Sequence, residues 1–489
     1  MSANLDNLTL YAAHQKIYPR DIGGRFQRLR TAAVFWLLGM YYIFPWLNWN
    51  DRQMVLFDLP ARKFYVFGFV LWPQDFIYLA AFLVICALSL FFFTALAGRL
   101  WCGYACPQTV WTEVFLWIER KIEGDRNARM RLDKQPWTWK KFRLKASKQA
   151  IWVLFSFWTG LTFIGFFTPI RDLALDFPNW HFTAWFWCLF YSGATYANAG
   201  FLREQVCKYM CPYARFQSAM FDKNTLIISY DEKRGEPRGS RKRGIPSVLE
   251  RVSVETGNAE ALAPALVALD RNHPPTPVGP PKASQLGDCI DCLACVQVCP
   301  TGIDIRNGLQ YECIGCAACI DACDAVMDKM NYPRGLVRYA TDNAIHGQPT
   351  KILRPRVIVY GLILCIIITL VTLSLFLRAP VHADILRDRR ELYRFGDEGL
   401  IENAYQVKLI NKRETPHRYS IRVLEPAGLQ IGIAAEIRAP AGDVINVPMT
   451  LAAPEGQIRG GVDVLLEIRD LDQPAIIVRE KTRFFAPAE

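Results

Sequence analysis

Long apolar runs set the outline of this 489-residue chain. A run of about 18 or more uncharged apolar residues is long enough to cross a bilayer as a helix. Five such runs occur, near 32–49, 75–97, 150–170, 183–200 and 356–377. Gly193, Asn198 and Gly200 dilute the end of the fourth. The N-terminal stretch is polar and carries Lys16, Arg20, Arg25, Arg28 and Arg30, so it does not read as a cleavable leader. From about 385 the period changes to two. Tyr405, Val407 and Leu409 alternate with polar neighbours, as do Tyr419, Ile421 and Val423, and again Val462, Val464, Leu466 and Ile468. Gly, Pro, Asn and Asp punctuate these runs, which predicts an all-β sandwich of immunoglobulin type.

Charge between the runs predicts orientation, because short loops rich in Lys and Arg stay cytoplasmic. The loop at 98–149 holds twelve such residues, including Arg120, Lys121, Lys140, Lys141 and Arg143, whereas 171–182 has only Arg171. The loop at 50–74, with Arg52, Arg62 and Lys63, departs from the pattern but is far less basic than its neighbours. The expected fold class is multi-domain. It comprises a cytoplasmic N-terminal segment (1–31), a membrane domain of four helices (32–230), a linker (231–284), a ferredoxin-like domain (285–335), a fifth transmembrane helix (356–378) and a periplasmic β-sandwich (385–489). The linker runs through Arg238, Arg241, Lys242 and Arg243 to Pro274, Pro275, Pro277, Pro280 and Pro281, with a short helix expected over 249–269. The net charge of +11 is largely the membrane-flanking excess, which leaves little for a nucleic-acid partner.

Cysteine spacing supplies the chemistry. Cys289, Cys292, Cys295 and Cys299 form C-x2-C-x2-C-x3-C-P, and Cys313, Cys316, Cys319 and Cys323 repeat the spacing with Asp324 in place of the proline. Such runs hold two [4Fe-4S] clusters, and the fourth cysteine of each run ligates the other run's cluster. Cluster I therefore falls to Cys289, Cys292, Cys295 and Cys323, and cluster II to Cys313, Cys316, Cys319 and Cys299. The competing reading, a pair of zinc sites, fits the spacing poorly. From Asp288 to Lys329 there are seven acids against Arg306 and Lys329, a face suited to docking a basic electron partner or simply to solubility.

A second constellation repeats 105 residues apart: Cys102 and Cys106 in C-G-Y-A-C-P, Cys207 and Cys211 in C-K-Y-M-C-P. Each copy follows a pair of predicted spans and precedes an amphipathic stretch, which reads as an internal parallel repeat. In the first, Val110, Val114, Phe115, Ile118 and Ile122 recur at helical spacing opposite Glu113, Glu119 and Lys121, predicting a helix in the membrane interface. The four thiols fit a third iron–sulfur cluster, a copper(I) site or a redox-active dithiol, against the plainer reading of two unrelated turns. Cys86, Cys188 and Cys365 lie inside predicted spans and read as small apolar side chains. No His falls inside a predicted span, which argues against a membrane haem. Neither a dinucleotide fingerprint nor a P-loop occurs, so electrons come from an external donor.

The two C-x-Y-x-C-P copies, the eight-cysteine stretch, the fifth span and the β-domain together resemble the FixG/RdxA/CcoG-type cytochrome c oxidase accessory proteins. The resemblance implies a bacterial inner-membrane polyferredoxin linked to assembly of cbb3-type oxidases by reduction of Cu(II) to Cu(I). Copper-export and oxidase-assembly proteins are then the implied partners. Three readings follow from it and from the residues: a cupric reductase acting at Cys102, Cys106, Cys207 and Cys211, an electron-transfer subunit between a quinol or other donor and a partner complex, and a non-enzymatic redox sensor or scaffold.

Overall fold

The computed structural model describes residues 16–50, 52–241, 247–248, 286–388, 391–396 and 399–487. Most of the predicted linker, including the helix expected over 249–269, lies outside the described residues. The chain divides into two compact units, one built from 1–56 and 78–368, the other from 57–77 and 369–489.

Helices dominate the first unit. Arg25–Ile43, Phe76–Ala97, Trp139–Ile164, Phe182–Thr195 and Pro355–Phe376 correspond to the five apolar runs. Two helical stretches, Pro73–Ala97 and Pro355–Phe376, are long and apolar enough to cross a membrane, and their surfaces are almost wholly unburied. The other three depart from the expected spans for identifiable reasons. The first opens earlier and includes Arg25, Arg28 and Arg30. The third begins at Trp139, with Thr138 accepting the Lys141 N–H as its cap at 3.2 Å, so its first half carries Lys140, Lys141, Arg143, Lys145 and Lys148. The fourth is α-helical for only 14 residues and then widens into a π-helix over Tyr196–Leu202. The third and fourth pack closely at Gly160, where a Cβ would overlap the Ser192 hydroxyl and the Cys188 carbonyl. Small residues permit such backbone approach between apolar helices.

The helix expected to lie in the membrane interface is Pro107–Glu123, and burial reaches past its apolar face to Glu119 and Glu123. Phe115 and Ile118, on the face marked by helical spacing, pack with Trp152 and Ala199. Glu119, expected on a polar outer face, is fully buried. It takes Arg203 at 2.8 Å and Arg129 at 3.6 Å, with Lys148 at 3.9 Å. Glu123 takes Lys148 at 2.9 Å and Lys145 at 3.0 Å. Several cations counted toward membrane orientation are thus neutralised inside this unit.

A two-stranded antiparallel ribbon, Ile227–Tyr230 with Val337–Ala340, joins the stretch before the linker to the stretch after the cysteine runs. Its Ile228, Tyr230 and Val337 share a core with Cys289, Cys295, Ile305 and Met327.

The second unit is a β-sandwich. One sheet has the order Gln430–Gly432, Val444–Pro454, Leu400–Asn411, Val381–Arg387, with Arg394–Phe395 also paired to Leu400–Asn411. The other runs Ile437–Ala439, His417–Glu425, Gly461–Asp470, Ile477–Phe485. The inward residues are those the alternation marks: Tyr405, Val407, Leu409, Tyr419, Ile421, Val464, Leu466 and Ile468 are buried. The domain starts at Val381, before the expected 385, and gains the hairpin Lys63–Val66 with Phe69–Leu71 from the loop at 50–74. That hairpin's Val70, with Trp72, packs on Ile410, and Asp75 pairs with Arg378 and, at 3.2 Å, with Lys412. Folding also brings His417 to 2.9 Å from Asp470, with Asp472 nearby, a grouping the sequence reading did not foresee. Arg418 engages both Asp472 oxygens, and Asp470 accepts the backbone N–H groups of Asp472 and Gln473, so these acids are already employed in a turn.

Candidate metal centres

The two ferredoxin runs curl in the same way. Asp291 and Leu293, which flank Cys292, have φ of 54° and 56°, and Gly315 and Ala317, which flank Cys316, have φ of 69° and 59°. Alternating left- and right-handed residues turn successive N–H groups inward, forming a concavity that suits anions and iron–sulfur groups. The N–H groups of Gly315 and Ala318 approach the sulfurs of Cys313 and Cys316. Cys295 then sits in the short helix Ala294–Gln297, and Cys319 and Cys323 in the helix Ala318–Met330.

Cys289, Cys292, Cys295 and Cys323 line one cavity, closed by Tyr230, Met327 and Leu336. Cys299, Cys313, Cys316 and Cys319 line a second, with Cys295 on its edge and Ile303, Ile305 and Ile314 as walls. Each run thus sends its fourth cysteine to the other run's cavity, the pairing expected from spacing. The missing proline has a local cause: Cys323 lies mid-helix, where proline would break the i→i−4 bond, whereas Cys299 ends in a turn. The residues fit clusters better than single ions. A tetrahedral zinc with bonds near 2.3 Å would hold its sulfurs about 3.8 Å apart. Among the described residues no three cysteine sulfurs lie within 4.8 Å of one another. Burial pushes the Cys295 thiol up to about 11 and Cys313 to about 12, so these groups are neutral until a metal displaces the proton.

The second constellation is also gathered. Cys102 lies in the short helix Leu100–Tyr104, and Cys106 caps Pro107–Glu123 with Pro107 as its first residue. Cys207 lies in a π-helical turn, Val206–Met210, and Cys211 caps Pro212–Ala219 with Pro212 first. The C-P step is a helix start in both copies, because proline at N1 lacks only a hydrogen that has no helical partner. The repeat therefore holds at the cap and differs in the turn before it. Each of Cys102 and Cys207 feels the other pair: burial raises both thiols, to about 12 and about 11, and neighbouring cysteines add to the rise while Arg99 opposes it. Cys102 Sγ donates to Gln217 Oε1 at 3.2 Å.

The two sets of cysteines meet. Cys102 and Cys207 pack on the same apolar cluster as Cys316, Cys319 and Ile314. A Cβ on Gly103 would stand 2.9 Å from Cys316 Cα and from the Gly315 carbonyl, and one on Gly315 would stand 3.0 Å from the Arg99 carbonyl. The backbone of the first C-x3-C turn thus lies directly against the loop of the second cavity. A further cavity beside this seam is lined by Arg30, Glu113, Arg203, Glu204, Cys207 and Thr301. Arg99, Gly103 and Gln217 were not singled out from sequence. Gly103 had a signal, since it sits inside the motif, whereas Arg99 and Gln217 acquire meaning only from the packing. Cys188 is buried between helices, and Cys86 and Cys365 are exposed on theirs.

Comparison with known proteins identifies both cysteine-bearing stretches. A 4Fe-4S dicluster domain matches 202–262 and 278–342, a 4Fe-4S binding domain matches 79–124, and an IG-like fold at the C-terminus of FixG matches 371–487. Protein RdxB of Cereibacter sphaeroides is 37% identical over 93% of this chain and 92% of its own length. The chain belongs to the FixG/RdxA family. Nitrogen fixation protein FixG of Rhizobium meliloti is 38% identical over 82% of this chain and 78% of its own. Protein RdxA of Cereibacter sphaeroides is 37% identical over 91% of each. A solved FixG-related structure from Vibrio parahaemolyticus aligns with 22% of this chain and 95% of its own, at 25% identity and a TM-score of 0.20. This FixG/RdxA-type chain is an iron–sulfur electron-transfer protein with helices suited to a membrane.

Proposed function

We propose that this chain reduces Cu(II) to Cu(I) at Cys102, Cys106, Cys207 and Cys211, drawing electrons from its ferredoxin module, in support of cbb3-type oxidase assembly. The observation that carries the reading is the seam at Gly103, where the first C-x3-C turn touches the Gly315–Cys316 loop. When bound, the two [4Fe-4S] clusters supply one-electron storage and transfer. The eight ferredoxin cysteines hold that capacity in place, and Ile303, Ile305 and Ile314 wall the second cavity. The cavity beside Cys207 offers carboxylates of Glu113 and Glu204 along with the thiol. Cu(II) prefers harder oxygen donors and Cu(I) prefers thiolate, so an ion moving from carboxylate to sulfur is held better once it has gained its electron. Binding at Cys102 and Cys207 releases their protons, because burial keeps these two thiols neutral without a metal.

The reading includes five transmembrane helices, with the N-terminus and ferredoxin module cytoplasmic and the β-sandwich periplasmic. Its partners are an electron donor on the cytoplasmic side, copper-export proteins and oxidase-assembly proteins. The test uses anaerobically purified holoprotein, reduced with dithionite and mixed with Cu(II). Loss of the reduced-cluster EPR signal, with Cu(I) trapped by a chelator, is the expected result. Cys102→Ser with Cys207→Ser should keep its iron and its dithionite reduction while reoxidising more than tenfold more slowly. An unchanged rate in that variant would remove the thiols from the path.

A further inference from the structure

The two ferredoxin cavities have equal sulfur sets and unequal surroundings. Beside Cys295, the Arg306 guanidinium is held by Asp304, with Nη2 at 2.6 Å from Oδ2, and by Asp291. Asp324 stands next to Cys323 as a third acid. Around the other cavity the balance differs. Arg30 lies beside the Cys316 thiol, and Glu113 is its nearby acid. Arg99 is 5% exposed and donates Nη1 to the Cys313 carbonyl at 3.4 Å. The same guanidinium lies beside Cys102 and Cys207, with Glu204 also near Cys207. Among the described residues, the charges acting most directly on the second set of thiols are the guanidiniums of Arg30 and Arg99, whereas at the first cavity Arg306 is gathered among Asp291, Asp304 and Asp324.

A cluster bound by four thiolates gains one negative charge on reduction, so its potential follows the charge around it. Burial of Cys316 and Cys319 works the other way, because a drier site disfavours the more charged state. The same burial leaves Arg99 little screened by solvent or salt, and its charge favours the thiolates of Cys102, Cys207 and Cys313. We propose that the Cys299, Cys313, Cys316 and Cys319 site is the higher-potential site of the two, made so by Arg30 and Arg99. Arg99 is then a positioning residue shared by that site and the thiols Cys102 and Cys207. An electron divided between the two sites rests on the side of the four thiols, and the acid-rich site, with its exposed Cys292, faces the donor.

The inference rests on the reading that the eight cysteines hold two clusters and that electrons leave through the C-x3-C thiols. Its test is an EPR-monitored redox titration of the full-length holoprotein without copper, so a failed copper assay leaves it untouched. Wild type should show two midpoints. Arg99→Gln should lower the upper one by tenfold in the reduction equilibrium, about 59 mV for a one-electron couple, and leave the lower in place. Arg30→Gln should act in the same direction, Arg99→Lys should restore most of the shift, and Asp304→Asn should raise the lower midpoint. Unchanged iron content marks a variant as folded. A single shared midpoint, or an Arg99→Gln shift confined to the lower midpoint, would overturn the proposal, as would no shift in either arginine variant.

Discussion

Gly103→Val is expected to slow copper-driven reoxidation while sparing both the iron content and reduction by dithionite. The atoms that a Cβ would meet are Cys316 Cα and the Gly315 carbonyl group, all at 2.9 Å. These are backbone atoms of a loop pinned by Cys313 and Cys316, so they cannot swing aside as a long side chain would. The valine must therefore open the seam or shift the loop. Misplacement of reacting groups by about 1 Å costs on the order of a hundredfold in rate. Stopped-flow absorbance of the reduced protein mixed with Cu(II) measures the effect. Gly193→Ala serves as the control, because its Cβ would meet nothing within 4 Å. Equal rates for wild type and Gly103→Val would show that the seam is not the route.

Glu119→Ala should be among the most destabilising single changes in the helical unit. The carboxylate is fully buried, and Arg203, Arg129 and Lys148 converge on it. Its removal takes away the carboxylate that Arg203 and Arg129 share, while Lys148 keeps Glu123, and breaking such a buried pair costs about 3–5 kcal/mol. Chemical denaturation in detergent, followed by intrinsic tryptophan fluorescence, would show the loss because Trp152 stacks beside both Lys148 and Arg203. Burial alone would push Glu119 up, but Arg203, Lys148 and Arg129 together hold it below the ordinary carboxylate value. A depressed folded-state pKa contributes stability above the unfolded value, near 4.5, and that stability is lost as pH falls through the folded value. The difference between wild type and Glu119→Ala should therefore be constant from neutral pH down to the onset of carboxylate titration and shrink only in acid.

What the sequence made legible was chemistry with local spacing. Ligands for a cluster must recur within a few residues, so the crossed sets of Cys289 to Cys323 could be written down before any fold was known. Strand alternation worked for the same reason, since Tyr405, Val407 and Leu409 face one side of a single strand. Hydropathy was less reliable where cations share a helix with the apolar residues. Lys141, Lys145 and Lys148 occupy the first half of Trp139–Ile164, whereas their charge assigned them to the loop at 98–149. Glu119 was misassigned because the cations that bury it come from Arg129, Lys148 and Arg203, separate segments that converge only in the fold. The seam was hidden for a similar reason. It depends on two glycines, Gly103 and Gly315, that are far apart in sequence and meaningful only as neighbours.

The ribbon of Ile227–Tyr230 with Val337–Ala340 has one more consequence. It fastens the two ends of everything from 231 to 336, so the chain leaves and re-enters the helical unit at adjacent points. Relatives should therefore differ freely in the length of the stretch between Arg241 and Leu286 while keeping the clasp and the cysteine runs in step. In evolutionary terms the electron-carrying portion is a cassette, entered and left at a single point on the helical unit.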